Sequence, residues 1–181
     1  AGAEAADRQG LALAQPLEQS ALAVLLCGGL ADSLIGAGHY EAAHEVALQG
    51  LQLARPRGDR AGESVLVNAL GLIAMERGDL TVAAGHFEDS LLITREVGDP
   101  KAEGLRLNNL GSVYPRLGDY ARARGHLDRG LQLARRIGHR PTEAVVLLNT
   151  ASVAHLQGDD TAALALAHAA FEAAATSGQR E

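Results

Sequence analysis

All four asparagines of this chain stand at one interval from a partner: Asn68 and Asn108 are 40 residues apart, and so are Asn109 and Asn149. An asparagine side chain carries both a donor and an acceptor. A row of them can therefore pair with the backbone of an extended peptide without demanding a particular side chain from it. Charged residues recur at the same interval, with Glu63, Glu103 and Glu143 in one column and Arg55, Arg95 and Arg135 in another. Other chemistry finds less support. Seven histidines raise the question of a metal, and His86 and His126 share a column. Stacked helices sit roughly 8 to 10 Å apart, however, and no carboxylate converges on the two histidines at a usual ligand spacing. No serine or cysteine has an evident histidine and acid pairing, and no glycine-rich phosphate loop follows a strand. The chain therefore reads as non-enzymatic, with no cofactor and no metal.

The elements that must hold these columns are marked by glycines. Gly38, Gly78, Gly118 and Gly158 follow one another at intervals of 40 residues, and a second column, Gly58, Gly98, Gly138 and Gly178, lies midway. Between them the apolar residues keep a helical period: Val65, Leu66, Leu70, Ile73 and Ala74 line one helix, and Leu80, Ala83, Phe87, Leu91 and Ile93 the next. Each repeat is thus a helix pair. The first glycine column ends helix A, and Asp79, Asp119 and Asp159 are placed to cap helix B, with His39 in the aspartate's position in the first pair. The second column ends helix B, and Pro100 and Pro141 open the helices A that follow. Glutamate in the first turn of helix A and arginine in the last turn of helix B complement the helix dipoles. Each arginine is also placed to reach the glutamate eight residues on. Asp89 and Arg129 share a column too, which stacking would bring together. Cys27 falls in a core column, and Gly28-Gly29 within a helix marks a kink or a close contact.

Composition excludes several classes. Apolar residues make up 47% of the 181, and mean hydropathy is near zero, as in a folded domain with a substantial core. A net charge of −6 and a pI near 5.6 argue against a nucleic-acid binder, which needs a basic face. Two phenylalanines, three tyrosines and no tryptophan leave little for base stacking. One cysteine allows no internal disulfide and fits a reducing cytoplasm. The most apolar stretch, 21–31, is well short of the roughly 20 residues a membrane span needs, and no basic segment precedes it as in a signal peptide. Arginine almost everywhere in place of lysine, with Lys101 the one exception, hints at a GC-rich bacterial gene.

A period of this length predicts an all-α solenoid, an α-α superhelix. Residues 9–14, Gln-Gly-Leu-Ala-Leu-Ala, match Gln49 to Ala54, so the chain is expected to open within a repeat. The expected order is one domain over 1–181: an orphan helix B at about 2–16, then pairs at about 20–56, 60–97, 100–137 and 141–177, nine helices in all. With no initiator methionine it reads as a piece of a longer protein. The last helix, 161–176, carries Glu172 as its only charge, whereas solenoids finish with a polar capping helix. Self-association as a homodimer through uncapped terminal helices is expected.

Leu70-Gly71, Ala74, Gly78-Asp79-Leu80, Ala83, Phe87 and Ser90 together resemble the tetratricopeptide repeat, as do Leu110-Gly111, Tyr114, Gly118-Asp119-Tyr120, Ala123, Leu127 and Gly130. The repeats differ from the family's usual length of about 34 residues in being 40 long. Cys27, Val67, Leu107 and Leu147 stand where the family has a tryptophan. Such extended repeats, with Asn-Asn-Leu-Gly at 108–111, are similar to those of kinesin light chains, polarity adaptors and bacterial transcriptional regulators. The resemblance implies an inner groove lined by helix A. Its matching positions here are Asn68, Leu72, Met75 and Glu76; Asn108, Asn109, Ser112 and Arg116; and Asn149, Ser152 and His155. It implies a protein or peptide ligand and no contact with nucleic acid or membrane, in a scaffold or sensor arm; the alternative is a small-ligand or signalling-peptide sensor. With only Lys101, Arg106 and Arg116 nearby, a clamp for two carboxylates is poorly supplied.

Overall fold

The structure, a computed structural model, describes residues 21–177. The expected orphan helix at about 2–16 and the glycine at 178 lie outside them. The described residues form eight α-helices and no strand: α1 (Ala21–Gly36), α2 (Tyr40–Ala54), α3 (Arg60–Arg77), α4 (Leu80–Val97), α5 (Pro100–Arg116), α6 (Tyr120–Ile137), α7 (Arg140–Leu156) and α8 (Asp160–Ser177). A 3-10 turn, Arg55–Arg57, extends α2. The chain divides between Val97 and Gly98 into two compact units. Within the first, α1 packs on α2, α2 on α3, α3 on α4, and the two helices A, α1 and α3, touch directly; α5 to α8 repeat this arrangement in the second.

The turns follow from backbone geometry. Gly38, Gly78, Gly118 and Gly158 have φ between 79° and 87°, the left-handed region that side-chain-bearing residues avoid. This lets the chain fold back on the helix just ended: Gly78 N donates to Met75 O and Asp79 N to Ala74 O. Asp119 and Asp159 then accept from the backbone N–H of Arg122 and Ala162, capping α6 and α8, whereas His39 makes no such bond at α2. The caps of helix A form a column that the sequence reading passed over. Asp59 accepts from Gly62 N, Asp99 from Lys101 N and Ala102 N, and His139 Nδ1 from Thr142 N. All three stand just after a left-handed glycine, which is the signal that could have found them.

Inside each unit the column lacking tryptophan is packed: Cys27, Val67, Leu107 and Leu147 are all at most 5% exposed. Val65 corrects the expected core. It is 38% exposed, whereas its neighbour Leu66 is fully buried. Gly28 makes a close contact, since a Cβ there would meet Val65 Cγ1 at 3.0 Å. Ser64, Ser90 and Thr94 form a buried hydroxyl cluster between α3 and α4, each bonded within it.

Candidate functional site

In the second unit α5 and α7 lie side by side, and residues at helical spacing form a stripe along each. On α5 the stripe is Leu105, Asn108, Asn109, Ser112 and Arg116; on α7 it is Val145, Leu148, Asn149, Ser152 and Leu156. Asn149 Nδ2 donates to Asn108 Oδ1 at 2.8 Å, tying the two helices together. The pair is diagonal, 41 residues apart in the chain, so aligning the repeat column by column does not reveal it. The bond uses one donor of Asn149 and one lone pair of Asn108. The amide of Asn108 and the carbonyl oxygen of Asn149 keep capacity, one as donor and one as acceptor, which is what a peptide group offers in return.

The other expected positions divide by environment. Asn109 is half-buried, and its backbone carbonyl accepts from Ser112 Oγ at 2.8 Å. Ser152 is exposed and donates to Leu148 O. Arg116 is exposed, and His155 Nδ1 lies 2.5 Å from Asp160 Oδ1. In the first unit Asn68 is only 6% exposed, Leu72 and Met75 are half-buried, and exposed Glu76 accepts from Tyr40 OH at 3.4 Å. Sequence reasoning missed the apolar half of the α5 and α7 stripes, where Leu105, Val145, Leu148 and Leu156 are all more than a third exposed. It takes apolar residues for core, although the 40-residue column of Leu25, Val65, Leu105 and Val145 was there to be read.

The arginine column is occupied by its own chain at both positions that lie within one unit. Arg55 Nε and Arg60 Nη1 bind Glu63 at 2.9 and 2.5 Å, and Arg135 Nε and Arg140 Nη1 bind Glu143 at 2.9 and 2.6 Å. Arg106 is buried. Burial pulls both carboxyls up, and hydrogen bonds from the arginines outweigh it, leaving each below the ordinary glutamate value. A carboxyl with a depressed folded pKa stabilises the fold above its unfolded pKa and loses that contribution as pH falls through the folded one. The urea midpoint is therefore expected to drop as pH falls below about 4.5. A Glu63→Gln, Glu143→Gln double variant, less stable at neutral pH, should show a flatter profile; an unchanged slope would contradict this. Among the described residues no group of three or more histidine, cysteine or acidic side chains is arranged to hold a metal, and Cys27 is buried, its thiol pushed up by desolvation.

Residues 105–176 match the family model of the tetratricopeptide repeat. No curated protein matches the chain. Among solved structures, BtubC (BKLC) from P. vanneervenii is similar over 98% of this chain and 77% of its own, with a TM-score of 0.79 at 18% identity. A signal transduction ATPase with numerous domains and a tetratricopeptide repeat sensor, from Pyrococcus horikoshii, is similar over 90% of this chain with a TM-score of 0.74, also at 18% identity. The chain spans 26% of that protein. At this identity the likeness is one of fold, an all-α arrangement of tetratricopeptide-like helix pairs, and no helix among the described residues is long and apolar enough to cross a membrane.

Proposed function

We propose, for a chain whose residues 105–176 match the tetratricopeptide repeat model, that it is a non-catalytic scaffold holding an extended protein or peptide segment along the α5 and α7 face. The observation that carries this reading is the Asn108–Asn149 bridge. A pair already fixed in place spends little entropy on binding, and it presents a donor and an acceptor at half-buried positions. Leu105, Val145 and Leu148 beside it give apolar side chains of the ligand a surface to cover. The net charge of −6 speaks for a protein ligand over nucleic acid. By its name the Pyrococcus horikoshii protein joins a repeat sensor to an ATPase. We place this chain in a comparable role, as the sensing or interaction arm of a larger bacterial regulator.

The test uses peptides selected from a random display library against the whole chain. Asn108→Ala together with Asn109→Ala should weaken the selected peptides at least about tenfold, near 1.4 kcal/mol, with helicity unchanged. Undiminished binding would move the site off this face.

A further inference from the structure

A cleft of about 300 Å³ opens in the second unit between α6, α7 and the first turns of α8. That is near the lower size limit for a small-molecule site, and it suits one long side chain. Val153 and Leu166 form part of an apolar floor, and Asp128, Asp159 and Arg124 contribute charged groups. The cleft uses a different stripe of α7 from the asparagine face: Thr150, Val153 and Gln157 are turned roughly a third of a turn from Asn149 and Ser152.

One repeat is 40 residues, so Thr150 and Ala162 correspond to Leu70 and Val82 of the first unit. Both are smaller than their counterparts, and Thr150 is half-buried at the cleft whereas Leu70 is buried at 8% exposure in its own unit. The charges are unequal. Arg124 donates to the neutral Gln157. Asp159 uses Oδ1 to cap Ala162 and keeps Oδ2, and Asp128 makes no hydrogen bond or ion pair with the described residues. Two carboxylates against one guanidinium leave the cleft net negative above an apolar floor.

We propose that this cleft binds a cation on an aliphatic stem: the side chain of an arginine or lysine of a partner, or a free alkylguanidinium or alkylammonium of the same chemistry. The stem lies on Val153 and Leu166 while Asp128 and Asp159 take the charge. The site is separate from the asparagine face and stands or falls independently of it.

Amide NMR of the whole chain tests this, with n-butylguanidinium and acetyl-Gly-Arg-Gly-amide as probes and neutral n-butylurea as control. Saturable shifts are expected around Asp128, Thr150, Asp159 and Ala162. Binding should fall at least about tenfold in Asp128→Asn and again in Thr150→Leu, which restores the first unit's residue and so keeps the fold. Binding of the peptide alone would identify a partner's side chain as the source; binding of both probes would admit the free cation as well. No saturable shift from either probe, butylurea binding as well as the cation, or shifts that survive both variants would overturn the proposal.

Discussion

Phe87→Ala should lower the stability of the first unit by about 3–5 kcal/mol. Phe87 is fully buried, and its ring lies so close to Gly71 that a Cβ there would come within 2.6 Å of Cδ1 and Cε1. Truncation removes the ring from the seam between α3 and α4, and neighbouring helices held by their own turns cannot collapse fully into the space, so the loss includes a cavity term as well as transfer. At roughly 4–8 °C per kcal/mol for a unit of this size, the thermal midpoint should fall by more than about 12 °C. Phe171→Ala is the matched control. Phe171 is 74% exposed on α8, and its loss should stay within about 0.5 kcal/mol. Equal effects at the two positions, read by urea titration, would show that the α3 and α4 seam is not packed as described.

Gly111→Ala and Gly125→Ala, one chemical change at two helical positions, should move stability in opposite directions. At Gly111 a Cβ would stand 2.3 Å from Leu127 Cδ2 and 2.4 Å from its Cγ. Leu127 is fully buried, so it has nowhere to go, and overpacking of this kind costs about 1–3 kcal/mol even after the helix-propensity gain of alanine is counted. At Gly125, exposed on α6, a Cβ meets nothing within 4 Å, and alanine should add about 0.5–1 kcal/mol. A neutral Gly111→Ala would mean that α5 and α6 can separate at this contact without loss.

These contacts show where the sequence was informative. Glycines at a fixed interval gave the turns, because a left-handed residue is required wherever a helix must close on itself, and the backbone confirms φ above 60° at seven of them. The column of Cys27, Val67, Leu107 and Leu147 was legible for the same reason: stacked repeats bury the same position each time. Val65 was not legible. Helical periodicity cannot say on which side of the apolar stripe the partner helix lies, and Val65 stands on the open side. The Asn108–Asn149 bridge escaped alignment because neighbouring helices A meet one residue out of register at this point. The cleft beside Thr150 escaped it because its lining includes residues that differ between repeats, and a column shows only what they share.

Side-chain amide resonances of Asn108 and Asn149, followed by NMR while the chain is titrated with a library-selected peptide, read binding at this face directly. Both amides should shift with the peptide's own affinity and show contacts from Asn108 Nδ2–H to the peptide backbone, with Leu105 and Val145 methyls shifting alongside. Saturating peptide that leaves both amides unmoved while other surfaces respond would contradict ligand capture by the α5 and α7 face.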